Sequence, residues 1–352
     1  MAIHDVANEL AEELYSLGYF KFADSEVSGL RPAAQLHDQS GVPIQSVFHG
    51  ISVAAVGYIG SDSSEKIVVY ATRTSKKAIR EFSESFSGYP ATLASFGNID
   101  VRPESAITAT NGANCYVDGS RVACGSSAAP SGAGYAGTVG ALVRNSDGLF
   151  ALSNNHVFGG CNHTTVGHPI LSPSANDTGP GLPYPKTLFS HYRFSPLHSG
   201  DPLQMNPSRM DAAIAKVEDA SSVSSMQGSF YDTPIEPVDP IPGTRVKKVG
   251  RTTGLTVGKI ESLSAWTVAL PYKADKFRAT VYFEDVAFVR GDNGDAFCAA
   301  GDSGSLVVTE DETRAVGLVF AVSSIGLGVI IPIKRVLEFF DVELVGRYGF
   351  NK

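Results

Sequence analysis

Gly301-Asp-Ser-Gly-Ser305 is the stretch on which the reading of this chain turns. A serine hydroxyl is a poor nucleophile until a base takes its proton and fixed donors receive the charge that develops on the attacked carbonyl. Glycines on either side of Ser303 allow a tight turn whose backbone N–H groups point into one small cavity, and the amides of Gly301 and Ser303 are the donors it would supply. The same residue types also make plain turns for conformational reasons. Taken alone, the pentapeptide leaves both readings open.

Further up the chain, Leu152-Ser-Asn-Asn-His-Val157 places His156 after an apolar strand, and Arg209-Met-Asp-Ala-Ala-Ile-Ala215 places Asp211 directly before another. A lone histidine at a strand end is more often structural, and an aspartate before a strand is commonly a turn residue. Their order is more telling. His, Asp, Ser is the chymotrypsin order, whereas α/β-hydrolases run Ser, acid, His and subtilisins run Asp, His, Ser.

Around these motifs, from Thr138 onward, short strand candidates alternate with Gly, Pro, Asn and Asp clusters: 138–144, 149–153, 212–217, 244–249 and 256–263. Such spacing predicts an all-β sandwich or barrel. Ser305 to Thr309, a polar turn, and Ala315 to Val322 predict a hairpin. Gly328 to Ile331 is a last strand, followed by Pro332 in the first turn of a helix through about Phe340.

With three motifs in order, residues from about Thr138 to Ile333 resemble a trypsin-like serine peptidase domain of the bacterial, disulfide-poor kind. Lys248-Val-Gly-Arg-Thr-Thr-Gly-Leu-Thr-Val-Gly258 is similar to the strand pair that opens the second barrel in such peptidases. The resemblance implies a mainly β chain of two six-stranded antiparallel barrels with the site between them and a C-terminal helix outside. It also assigns His156 as general base, Asp211 as its orienter, Ser303 as nucleophile, and the Gly301 and Ser303 amides as the oxyanion hole of a serine endopeptidase acting through an acyl-enzyme. In digestive members a cysteine stands beside the base, and an Ile-Val-Gly-Gly start pairs with the aspartate before the nucleophile. Both are missing, so Asp302 needs another partner. Phe297 matches the position that sets charge at the base of the primary specificity pocket, and Val319, Phe320, Ala321 and Val322 form its expected wall. The implied preference is therefore for an apolar residue before the scissile bond, not Lys or Arg.

Ahead of this domain, Val6 to Tyr15 reads as an amphipathic helix with an acidic face. Gly50 to Tyr58 and Lys66 to Thr72 read as strands, Ser75 to Phe86 as a helix capped by Ser75, and Thr92 to Val101 as a strand. The β-β-α-β order resembles the N-terminal portion ahead of some bacterial trypsin-like domains. Expected boundaries are a small α/β domain at 1–110, a Gly/Ala/Ser-rich linker at 111–137 and the peptidase domain at 138–352. Within the last, barrel one covers about 138–235, barrel two about 240–332 and the helix about 333–341.

At 352 residues, 43% hydrophobic and 18% charged, the chain fits a soluble globular protein with more than one core. A net charge of −8 without a block of Lys or Arg argues against a nucleic-acid partner. No run reaches the roughly 18 to 20 apolar residues that span a bilayer, and the N-terminus lacks a signal peptide's pattern, so the expected location is the cytoplasm, with no membrane partner. Cys115, Cys124, Cys161 and Cys298 are too few and too irregular for a disulfide scaffold and are expected as free thiols, with a Cys115–Cys124 hairpin bridge as the alternative. Cys161, His163 and His168 lie close in sequence but lack a fourth ligand at a convincing spacing. The reading therefore includes no metal and no cofactor. Partners are a protein or peptide substrate and, at the N-terminal domain, a regulator. Two rival functions stay open: a non-catalytic or latent module that binds peptides or partner proteins, and a peptidase that cleaves its own chain in the linker at 125–137.

Overall fold

The computed structural model describes residues 2–20, 47–48, 50–60, 65–74, 82, 85–86, 88–99, 101, 115–178, 183–203 and 208–349. Helix α1 (Ile3–Ser16) buries Ile3, Val6, Ala7, Leu10, Ala11 and Leu14, which recur at helical spacing, and leaves its acidic residues mostly outward. Its apolar face joins a core with Val53, Val56, Ile67 and Val69 from strands β1 (Ser52–Ile59) and β2 (Lys66–Arg73). These two strands are antiparallel, and β3 (Tyr89–Ser95) lies parallel to β2 with Ile67 opposite Ala91. Most of the helix expected over 75–86 lies outside the described residues. Its end is not helical: Ser85–Phe86 pair with Tyr89 and Pro90 around Gly88, whose φ of +92° suits a tight reversal.

The stretch 111–137, expected to be a linker, is built into sheets from residue 117 on. Val117–Asp118 pair with Arg121–Cys124, which run beside Val223–Gln227, and β4 (Ser127–Pro130) pairs with β7 (below) and is wholly buried. Small side chains explain the difference. Ala and Ser bring little apolar area, but they let strands pack closely, and the serine hydroxyls find partners: Ser127 Oγ donates to Asp177, and Ser172 Oγ donates to the Ser127 carbonyl at 2.7 Å.

The first barrel continues through β5 (Ala141–Asn145), β6 (Gly148–Ser153), β7 (Pro169–Ser172), β8 (Lys186–Phe194) and β9 (Ala213–Val217). The second uses β10 (Arg245–Gly250) and β11 (Gly254–Ala265). After an outlying hairpin of β12 (Thr267–Ala274) and β13 (Phe277–Glu284) it resumes with β14 (Ala287–Gly291), β15 (Leu306–Thr309), β16 (Arg314–Val322) and β17 (Gly328–Pro332). Numbering each set of six from one, neighbours in both run in the cyclic order 1-2-3-6-5-4. Pairing of β10 with β11 closes the second barrel, whereas the first is a curled sheet that stays open between β4 and β5. The ladders within both sets are antiparallel.

After Pro332, helix α2 (Ile333–Phe340) buries Ile333, Val336, Leu337 and Phe340 on one face, and Glu343–Leu344 then add to the edge of β5. One core runs from Val143, Phe150 and Ile214 of the first barrel through Leu306, Leu318 and Ile331 of the second to α2. The N-terminal strands do not stand apart either. β1 pairs with β11, with Val56 opposite Ala265 and Tyr58 opposite Leu263, so among the described residues one ladder of ten strands runs from the closed barrel to Ser85–Phe86. None of the described helices is long and apolar enough to cross a membrane.

Candidate active site

Register brings His156 and Asp211 together. β6 and β9 are antiparallel neighbours with Ser153 opposite Ala213, so the residues just after β6 and just before β9 occupy the same end of the sheet. His156 sits there in a single wide helical turn, Asn155–Gly159, and both side chains are buried. Asp211 Oδ2 lies 2.5 Å from His156 Nδ1 and Oδ1 accepts the His156 amide at 3.0 Å, while Asn154 donates to the Asp211 carbonyl at 2.7 Å. A carboxylate only accepts, so in the neutral imidazole Nδ1 is the protonated nitrogen and Nε2 the one with a lone pair. A second donor, the Tyr272 hydroxyl, reaches Asp211 Oδ2 at 2.6 Å.

Ser303 lies in the loop before β15, and Thr138 moors that loop to the first barrel. The Thr138 amide donates to the Ser303 carbonyl at 2.8 Å, its hydroxyl to the Gly301 carbonyl at 2.9 Å, and its own carbonyl accepts from Ser153 Oγ at 2.7 Å, three residues before His156. The loop is thus held at the His156 end of the barrel. Among the described residues no hydrogen bond joins the Ser303 hydroxyl to His156. Gly301 (φ +91°) and Gly304 (φ +95°) take backbone conformations that L side chains rarely adopt. The amides of Asp302, Gly304 and Ser305 are bonded to Ala299, Val319 and Asp302 carbonyls, whereas those of Gly301 and Ser303 donate to no acceptor among the described residues. A Cβ on Gly304 would stand 2.2 Å from Ser153 Oγ and 2.3 Å from the Thr138 carbonyl. Gly304→Ala is therefore expected to cost about 2–3 kcal/mol, from the strained φ and the overpacking together, and urea unfolding of purified protein measures it.

Asp302 has the partner that the missing N-terminal amine left open. Lys248 Nζ is 3.1 Å from its Oδ2, with both side chains fully buried. Thr253 Oγ1 and the amides of Thr252, Thr253 and Ala299 complete its shell at 2.6–3.1 Å. Burial pushes the Asp302 carboxyl up, but the Lys248 charge, the Thr253 hydroxyl and the backbone amides outweigh it and leave the group below its ordinary range. Beside this loop Arg251 and Asp177 form a second buried ion pair that links the two barrels. Sequence reasoning singled out the segment containing Lys248 without assigning the lysine. A lysine two residues after Val246, on the face of Arg245–Gly250 that strand alternation turns inward, was the signal that could have found it. No comparable signal marks Thr138 or Tyr272.

The residues expected to form a specificity pocket lie in the packed interior. Phe297 and Val319 are fully buried among Val246, Ile260, Cys298 and Ile330, Phe320 and Ala321 belong to the larger shared core, and Val322 is half-buried. All four cysteines are unpaired, with no Cys115–Cys124 bridge. Burial pushes the Cys298 thiol up to about 12, which keeps it protonated and unreactive. Cys161 is buried, while His163 Nδ1 is bonded to the Cys161 carbonyl at 2.7 Å and His168 Nε2 to the Ser131 carbonyl at 3.0 Å.

The family model described as the Nal1 C-terminal domain matches residues 210–328, from Met210 to Gly328 at the start of β17. A search of curated proteins finds no match. Solved structures similar to this chain include a glutamic-acid-specific serine protease, 18% identical with a TM-score of 0.43, covering 64% of this chain and 100% of that one. Protease A of Thermobifida fusca is 17% identical with a TM-score of 0.42, over 64% of this chain and 99% of that one. A chymotrypsin of Cellulomonas bogoriensis is 15% identical with a TM-score of 0.41, over 63% and 97%. The repeated 1-2-3-6-5-4 strand order, the closed second barrel and the helix that follows it give this chain the trypsin-like, chymotrypsin-type fold.

Proposed function

We propose that this protein is a serine endopeptidase in which Ser303 attacks, His156 transfers the proton and Asp211 orients the base. The observation that carries the reading is the buried His156–Asp211 pair, its carboxylate fixed by both oxygens and its Nε2 left as a base, at the barrel end where the Ser303 loop is moored. In the proposed reaction Nε2 accepts the Ser303 hydroxyl proton as Oγ bonds to the substrate carbonyl carbon. The Gly301 and Ser303 amides receive the oxyanion. As the tetrahedral intermediate collapses the C–N bond breaks, His156 returns the proton to the leaving amine, and an acyl-enzyme remains for water to hydrolyse by the same route.

A second reading is a latent or non-catalytic module of the same fold that binds peptides or partner proteins; in a latent enzyme the Ser303–His156 hydrogen bond would close only with substrate or regulator bound. Self-processing at 125–137 is less favoured, since residues 125–130 are buried and only the loop around Ser131–Gly134 is exposed. Four unpaired cysteines support placement in a reducing compartment such as the cytoplasm. Intact mass after treatment with a small fluorophosphonate tests the assignment. One adduct on the wild type and none on Ser303→Ala is the expected result; no adduct on either, with peptide binding retained, would replace the peptidase by a binding module.

A further inference from the structure

Tyr272 stands on a hairpin that neither six-stranded set requires, yet its hydroxyl reaches the centre of the site. It donates to Asp211 Oδ2 at 2.6 Å, the same oxygen that accepts His156 Nδ1 at 2.5 Å, while Oδ1 is occupied by the His156 amide. Its ring is buried, edge-on to the His156 ring at 6.2 Å between centroids, and packed on Phe277 and Phe283. The backbone on both sides of it is held by one residue of the N-terminal part. Val101 N donates to the Pro271 carbonyl at 2.9 Å, and Lys273 N donates to the Val101 carbonyl at 3.0 Å. Burial, followed by the charge of Asp211, pushes the phenol far above its ordinary range, so it remains a donor throughout the working pH range.

We propose that Tyr272 is a positioning residue of the catalytic machinery, acting through Asp211, and that the N-terminal part holds it in place through Val101. This rests on the endopeptidase reading above. His156 places one donor on each oxygen and the phenol adds a second on Oδ2, so three donors hold the carboxylate and part of its charge is satisfied by the phenol rather than directed wholly at the imidazole. Without the phenol Oδ2 keeps the imidazole as its one donor, so the carboxylate is less rigidly held and binds the imidazolium more strongly. The base is then less well aimed and holds its proton to higher pH.

Tyr272→Phe keeps the ring and removes only the donor. In peptide hydrolysis we expect kcat to fall roughly 10- to 100-fold with KM unchanged, and the acidic limb of the kcat/KM profile to move up by about 0.5–1 pH unit. A role confined to packing would not move that limb. The far-downfield proton resonance of the His156–Asp211 hydrogen bond, recorded without substrate, gives a readout independent of turnover and should shift further downfield in the variant. Wild-type pH profile and wild-type resonance in a folded Tyr272→Phe protein would overturn the proposal. A shifted resonance in a protein that neither cleaves peptides nor takes the fluorophosphonate would support the positioning contact and sink the peptidase reading instead.

Discussion

Ser303→Ala is expected to leave a folded protein whose peptide hydrolysis falls by a factor on the order of 10⁴–10⁶, with His156→Ala losing a similar amount. The two losses should not add, because in the proposed mechanism nucleophile and base work as one unit and losing either removes the acyl-enzyme route. Cys298→Ser, next to the same loop, should keep most activity, since its buried thiol is held protonated. Initial rates on a peptide library, with thermal melting to verify folding, check all three. Dependence on Cys298 with an indifferent Ser303 would contradict the assignment.

Lys248→Met carries the second large effect, and here the damage is to the fold as well as the chemistry. It removes the only side-chain cation in the described shell of Asp302 while leaving the carboxylate fully buried, a change that costs about 3–5 kcal/mol when one partner of an interior pair is lost. Because Asp302 separates the Gly301 and Ser303 amides, activity should fall as well, by a factor on the order of 10², comparable to losing one oxyanion donor. The pH dependence has a defined sign. A carboxyl whose folded-state value is depressed contributes stability that is fully present above its unfolded value, about 4, and is lost as pH falls through the lower folded value. Wild type should therefore be well separated from Lys248→Met in urea midpoint at pH 7 and approach it as acid protonates Asp302 in both. Equal midpoints at pH 7 would show that the pair contributes nothing.

Much of this architecture was legible in the chain, and the parts that were not share a physical cause. His156, Asp211 and Ser303 could be picked out as candidates because each sits beside a strand whose apolar run or turn residues mark where it ends; short β segments at regular spacing pointed to a sandwich or barrel, while the two six-stranded sets were implied by the resemblance and their cyclic order appears only in the structure. Residues 117–130 were read as a connector because composition weighs apolar volume, whereas Ser126, Ser127, Ala128 and Ala129 are buried by hydrogen bonding and close approach. The N-terminal block was read as separate because nothing local announces that Val56 will pair with Ala265. Lys248–Asp302 and Tyr272–Asp211 join residues 54 and 61 apart, and such contacts arise only once the barrels are assembled.

The shared ladder between β1 and β11 also bears on how such a chain can be cut or recombined. Starting the protein at residue 111, the expected boundary, would strip β1 from β11 and leave the edge of β11 at Leu263, Ser264 and Ala265 without its partner strand. An exposed edge of that kind recruits another copy of itself. The double-barrel part is thus not a transferable cassette: a gene fusion or deletion that breaks at the expected boundary is expected to yield a self-associating fragment.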